Sequence, residues 1–305
     1  MSAPVLAIGS IALDTIRMPG GKVYKDVAGG SCTYFIHGAG FFVPVRVVGV
    51  VGEDFPKKYL DGFRKCGADL AGLRILPGKT FQWHGTYQKD MNNRNTDALH
   101  FGVFETFDPV LPEKFRASKY VFLACSQPEL QNRALDQLAG SPLAVCDTIE
   151  VYIGNDRPAL DRVIRRCQGM IVNDREARLI SGEDNLVKAA SALVRKYRLR
   201  FMALKKGEHG GLLATREGVF PFPAYPLAKV ADPTGAGDCF AGGFMGRLAR
   251  TGGRLDLKNL KRACADATAV ASYACEGVSH SALLRTAPAD IGKRAADFVR
   301  MTRLG

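Results

Sequence analysis

A chain of 305 residues, 47% hydrophobic and 24% charged, can bury a large core and has no segment polar enough to stay disordered, so a fully folded chain is expected. The balance of 42 Lys and Arg against 30 Asp and Glu, +12 overall, favours anionic ligands. The basic residues are spread at helical spacing (Arg162, Arg165, Arg166; Lys258, Lys261, Arg262), which reads as solvated helix faces and argues against nucleic acid as a partner. The 8 cysteines form no C-x-x-C pair, the run Val5 to Leu13 is broken by Asp14 and has no basic leader, and no apolar stretch approaches the ~20 residues of a membrane span. Reduced thiols, no membrane and a cytoplasmic location are therefore expected.

In chain order, short apolar runs at Val5–Ile8, Val45–Val51, Tyr120–Ala124, Leu143–Cys146, Met170–Val172 and Phe201–Leu204 predict buried strands of a parallel sheet. Between them Asp54–Cys66, Glu129–Leu138, Arg157–Cys167 and Asn185–Tyr197 carry apolar residues at three- and four-residue spacing and predict helices. Such alternation implies a doubly wound α/β fold covering residues 1–305 as one unit. Thr80 to Thr106, with Trp83, Tyr87, Phe101 and Phe104 among polar residues at roughly period two, predicts a small inserted antiparallel sheet. Beyond Ala231 the pattern is helical: a Gly-rich piece to Leu248, an Ala-rich piece from Leu257 to Cys275, and an amphipathic piece from Ala289 to Thr302.

The segment Asp232-Pro233-Thr234-Gly235-Ala236-Gly237-Asp238 is a Gly-rich turn opening the first of these helices. Backbone N–H groups at such a start point outward with the positive end of the helix dipole and suit phosphate, and an Asp at the lip can take a proton. A turn with an Asp cap would account for Gly235, Gly237 and Asp238 alone. It leaves Gly242, Gly243 and Gly246 unexplained, because inside a helix each costs about 1 kcal/mol relative to Ala unless something requires a close backbone approach.

The stretch D-P-T-G-A-G-D-C-F-A-G-G resembles the C-terminal signature of the ribokinase-like, or PfkB-type, carbohydrate kinases. The resemblance implies a three-layer doubly wound sheet with a small β-sheet lid, formed here by about residues 12–27 and 80–106. It also implies an ATP- and Mg²⁺-dependent phosphotransfer to a hydroxyl group, with Asp238 as base and Gly235, Ala236 and Gly237 as anion hole. Asn173-Asp174-Arg175-Glu176 resembles the family's N-x-x-E motif, which implies Asn173 near the ATP phosphates and Glu176 on Mg²⁺ through water, although the same residues also spell a helix cap. Lys205-Lys206-Gly207-Glu208-His209-Gly210-Gly211 resembles the family's nucleotide-contacting turn, so Lys206, Gly207, Glu208 and Gly210 are candidate ATP contacts, with Asp266 added from the Ala-rich segment.

Gly9-Ser10-Ile11-Ala12-Leu13-Asp14 and Ala28-Gly29-Gly30-Ser31 resemble the family's opening strand and Gly-Gly motif, implying acceptor contacts from Asp14, Gly29, Gly30 and Ser31, with Asn95 from the lid. One departure limits the choice of substrate: Ser31-Cys32-Thr33-Tyr34 stands where many members place an acceptor-binding Asn, and a Tyr cannot offer an amide's paired donor and acceptor. Asp232, Thr234 and Gly277 match positions where relatives hold a monovalent cation, which makes K⁺ a candidate activator. Relatives also dimerise through their lids, so a homodimer is an expectation here.

Other readings are weaker. Gly78-Lys79-Thr80 lacks the P-loop's first Gly, because Leu73 stands there, and Gly38-Ala39-Gly40 lacks the third Gly of a dinucleotide fingerprint, where Val43 stands. His37, His84, His100, His209 and His280 show no zinc-ligand spacing with the cysteines. A sugar or related polyol is the expected acceptor; a nucleoside, stacked on Trp83 or Tyr34, is the alternative within the class, and a non-catalytic nucleotide-binding regulator the alternative outside it.

Overall fold

The computed structural model describes residues 2–303. The chain opens with β1 (Val5–Ile8), β2 (Ala12–Arg17), β3 (Val23–Gly29), α1 (Ser31–Gly40), β4 (Val45–Gly52), α2 (Lys57–Lys65) and β5 (Ala68–Leu76). It continues through β6 (Phe81–Tyr87), β7 (Arg94–His100), α3 (Glu113–Arg116), β8 (Tyr120–Leu123), α4 (Pro128–Asp136), β9 (Leu143–Cys146), α5 (Glu150–Asn155) and α6 (Arg157–Arg166). The last part comprises β10 (Gly169–Asn173), α7 (Asp174–Ser181), α8 (Leu186–Tyr197), β11 (Phe201–Lys205), β12 (Gly211–Thr215), β13 (Gly218–Phe222), α9 (Ala236–Arg250), α10 (Leu257–Cys275) and α11 (Pro288–Met301).

All six apolar runs are strands of one nine-stranded sheet, ordered β13-β12-β11-β10-β9-β8-β1-β4-β5, in which all strands run parallel except β12, antiparallel to both β11 and β13. Their continuous apolar character follows from burial on both faces. Phe35, Phe63, Phe240, Phe244 and Leu260 cover one face; Leu135, Leu160, Val163, Ile180 and Leu193 cover the other. β5 escaped the apolar-run criterion because it is an edge strand with mixed burial. β1 lies between β4 and β8: the chain builds β4 and β5 on one side of it and then crosses to β8, β9, β10 and β11 on the other, so the sheet order reverses at β1, and the carboxyl ends of β1, β8, β9, β10 and β11 open onto the crevice this creates.

A second sheet, β3-β2-β6-β7, is the small lid expected around Thr80–Thr106, joined by the N-terminal strands. Its β6–β7 pair is antiparallel, as predicted, whereas β2 runs parallel to β6. Among the described residues no helix is long and apolar enough to cross a membrane.

The helix glycines owe their places to packing. A Cβ on Gly242 would lie 2.5 Å from the Phe35 carbonyl oxygen of α1, one on Gly243 would lie 2.9 Å from the Ala267 Cα of α10, and one on Gly38 would lie 2.6 Å from the Cys239 carbonyl oxygen. Helix α9 is thus pressed backbone to backbone between α1 and α10. Gly242→Ala is expected to destabilise the fold by about 1–3 kcal/mol despite the better helix propensity of Ala. A thermal melt checks this; an unchanged or higher melting temperature would mean the helices separate at no cost.

Candidate active site

Gly235, with φ 72°, ends the loop before α9 and lets that loop lie flat on the Tyr34 ring, since a Cβ there would sit 2.1 Å from the ring. Tyr34 is 2% exposed, so it supports the loop from below and has no face to offer a base. The Ala236 N–H is taken by the Pro233 carbonyl at 3.1 Å. Of the three expected anion-hole amides, those of Gly235 and Gly237 are therefore the ones without a partner among the described residues. They open at the positive end of a helix of 15 residues.

Asp238, in the first turn of α9, accepts a hydrogen bond from the Ser31 hydroxyl. Ser31 begins α1 after Gly30, whose φ of 83° and missing Cβ let the chain pass against Ser10 and Ala12. The Ser31 N–H is bonded to the Ser10 hydroxyl at 3.2 Å, and its own hydroxyl also accepts the Cys125 N–H at 3.3 Å. Ser31 thus orients the Asp238 carboxyl. Burial, and after it the Asp147 charge, raise the Asp238 carboxyl to about 6, against the pull of Lys205, Ser31 and Arg94.

Asp14 lies in β2, 3% exposed, and Gly29 makes its room: a Cβ there would fall 1.9 Å from an Asp14 carboxylate oxygen. Its Oδ1 is buried without a hydrogen-bond partner. Burial, Asp232 and Asp238 push its pKa well up, and Arg94 opposes them. An unpaired buried acceptor costs about 1–3 kcal/mol, and a ligand hydroxyl is the kind of group that relieves it.

The lid contributes differently from expectation. Register pairs Asp14 with Trp83, and Tyr87 with Arg94, on the face turned toward the site, whereas Asn95 pairs with Thr86 on the opposite face beside Asp97 and Arg17. Asn95 therefore lies on the face away from Asp14, contrary to expectation, and the lid residue on the face toward it is Arg94, 5.7 Å over the Trp83 ring. On the β6–β7 side, hydrogen bonds tie the lid to the body from the Tyr87 hydroxyl to the Thr234 hydroxyl at 2.9 Å and from the Asn92 amide to the Glu208 carboxylate at 2.8 Å.

Behind the loop, Asp232 is fully buried and accepts the N–H groups of Thr234 (2.9 Å) and Ser279 (2.8 Å). It fastens the loop before α9 to the segment after Gly277. Asn173 and Glu176 form a reciprocal capping box on α7, both bonds 2.8 Å, which confirms the cap their spacing also allowed. Glu176 is nevertheless at the crevice: burial and Asp147 raise its carboxyl to about 8, while Lys205 draws it down. Lys206, Gly207, Glu208 and Gly210 form the turn from β11 to β12, with positive φ at both glycines.

Asp266 is a second correction. It sits in α10 with Arg247, Arg262 and Arg250 at 3.3, 3.4 and 3.9 Å, an internal ion cluster toward the far end of α9 from Gly237. Its oxygens are committed there and do not reach the nucleotide turn. Two residues at the crevice were not singled out from sequence: Asp147, which follows β9, and Lys205, which ends β11. Position at the carboxyl end of a central parallel strand is the signal that finds both.

A family model described as "pfkB family carbohydrate kinase" matches residues 5–287. The chain belongs to the pfkB family of carbohydrate kinases. It is accordingly an ATP-dependent kinase. Among its relatives, a cytidine kinase of Thermococcus kodakarensis is 30% identical over 81% of this chain and 88% of its own length. A fructokinase of Escherichia coli is 24% identical over 86% and 90%. A solved structure of a putative ribokinase II from E. coli in complex with ATP and Mg²⁺ superposes with TM-score 0.79 at 19% identity, covering 98% of this chain and 99% of that one, which shows the ribokinase fold. For a pfkB kinase the observed features fit the ligands: unpaired glycine amides and Lys205 suit a phosphoryl group, and the orphaned Asp14 oxygen suits an acceptor hydroxyl.

Asp238→Asn keeps size and removes the proton-accepting carboxylate. Turnover is expected to fall by roughly 10²–10⁴-fold with ATP affinity within about threefold of wild type. Asp266→Asn is expected to do the reverse, lowering stability by about 1–3 kcal/mol through its partly exposed arginines and leaving turnover unchanged. Steady-state kinetics and thermal melts of both variants separate the two roles.

Proposed function

We propose that the chain transfers the γ-phosphoryl group of ATP to a hydroxyl on the sugar moiety of a nucleoside. The observation that carries this reading is the unpaired Asp14 oxygen facing the same side of the lid as Trp83 and Arg94, next to the base Asp238. A carboxylate for sugar hydroxyls, an indole for stacking and a guanidinium for ring carbonyls together match a nucleoside, whereas a neutral sugar uses only the first. The 30% identical cytidine kinase supports it. A neutral sugar is the second reading, supported by the fructokinase relative.

In this reading Asp14 orients the acceptor and Asp238, held by Ser31, receives the proton of the attacking hydroxyl. The Gly235 and Gly237 amides then hold the charge that develops on the transferred group, a contribution of about 3–4 kcal/mol for a preorganised donor. The turn Lys206–Gly210 and Asn173 would hold the nucleotide and Glu176 would hold Mg²⁺, which when bound supplies charge neutralisation to the ATP phosphates. The sheet β3-β2-β6-β7, latched at Thr234 and Glu208, excludes water from a site that would otherwise hydrolyse ATP. Asp232, Thr234 and Gly277 are the candidate monovalent-cation residues, so the assay is run with and without K⁺.

The test is Mg²⁺-ATP consumption with mass-spectrometric detection of product across cytidine, inosine, ribose and fructose. A nucleoside is expected to give the highest kcat/KM, Asp14→Ala to raise its KM about tenfold or more by removing hydrogen bonds to the acceptor hydroxyls, and Trp83→Ala to raise it with little change for ribose. A free sugar preferred over both nucleosides would overturn the nucleoside assignment.

A further inference from the structure

Lys205 is the last residue of β11, paired in register with Asn173 of β10, at the crevice end of the sheet. Its side chain is 18% exposed, and its Nζ lies 3.8 Å from the Asp147 carboxylate. It also reaches the start of α9: a Cβ on Gly237 would fall 2.9 Å from Nζ and 3.6 Å from Cδ and Cε. The missing side chain at residue 237 is what admits the ammonium to the anion hole. Asp147, Glu176 and Asp238 all act on this charge; burial lowers the Lys205 pKa, and the three carboxylates more than offset that and hold it above its ordinary value, so it stays protonated.

We infer that Lys205 is a catalytic residue of this kinase: its ammonium occupies the anion hole beside the Gly237 amide and contacts the transferring phosphoryl group. The inference rests on the phosphotransfer reading above and adds a fixed cation to a hole otherwise made of two backbone amides. During transfer the bond from the acceptor oxygen to phosphorus forms while the bond from phosphorus to the ADP oxygen breaks. The acceptor proton goes to Asp238, and Lys205 neither gains nor loses one. With no phosphoryl group present, Asp147 serves as its resting partner at 3.8 Å, a separation long enough for the ammonium to turn toward a better anion. A lysine suits the place because its charge sits on a slender stem that passes over Gly237, where a guanidinium would crowd the helix start.

A structural ion pair alone would make Lys205 matter for folding and not for phosphoryl binding, so the test reads both. In Lys205→Met, kcat with the best acceptor of the panel is expected to fall roughly 10²–10³-fold with the acceptor KM within about twofold. Calorimetry provides a reading independent of turnover: the protein binds Mg²⁺-ADP plus aluminium fluoride, a mimic of the transferring group, about tenfold more weakly, and Mg²⁺-ADP alone with unchanged affinity. Because Lys205→Met leaves Asp147 buried beside an apolar chain, Lys205→Met/Asp147→Asn is compared with Asp147→Asn as a second pair, in which the same fluoride-complex loss is expected. Equal affinity for the fluoride complex with and without Lys205, in either pair, or a kcat within about threefold of the parent, overturns the inference. Asp238→Asn separates this from the larger reading: if it loses turnover while Lys205→Met keeps it, only the Lys205 inference fails; if it keeps turnover, the reading of Asp238 as the base fails.

Discussion

Where α1 crosses α9, Gly242 lets the two backbones touch at Phe35, and Gly38 does the same from the other side at Cys239. This crossing holds the first residue of one helix against the first turn of the other, and so delivers the Ser31 hydroxyl to Asp238. Larger residues at the crossing would move Asp238 away from Ser31 and from Asp14, which reaches the same crevice from the lid over Gly29. The glycines of α9 are thus a constraint on the active site as much as on the core: about 1 kcal/mol of helix propensity is given up at each so that two helix starts meet.

That convergence concentrates negative charge. Asp14, Asp147, Glu176 and Asp238 all have raised pKa values, with burial the first cause in each case. Lys205 and Arg94 are the cations that oppose this, one from the sheet and one from the lid. A base held near neutrality by its surroundings is suited to taking a proton from an alcohol and releasing it afterwards. The lid carries part of this balance, since the Arg94 charge acts on Asp14 and Asp238 from it, and the Tyr87–Thr234 and Asn92–Glu208 bonds tie it to the body.

Sequence alone identified the buried central strands, because parallel strands covered on both faces are written as apolar runs, and it identified the turn into α9 because few contexts tolerate so many glycines. It missed what depends on parity and on distant partners. Strand alternation sends Arg94 and Asn95 to opposite faces, and the bulge between His84 and Gly85 hides that parity from inspection of the sequence. Lys205, one residue before the nucleotide-turn candidates, and Asp147 carried no motif beyond their places at the end of a strand. Asp266 was misassigned because its arginines come from α9 and from a turn away on α10, a grouping that only the packed helices create.

The central claim is that Asp238, its carboxyl raised to about 6 by burial and by Asp147, is the general base. Carbon-13 NMR titration of aspartate-labelled protein, with Asp238→Asn to assign the resonance, set beside the pH profile of kcat/KM, tests it most directly. Since the base acts deprotonated, the account predicts that kcat/KM falls as pH drops through about 6 and that this limb coincides with the Asp238 titration. A carboxyl titrating in the ordinary range of about 4, or a profile indifferent to its protonation, would contradict it.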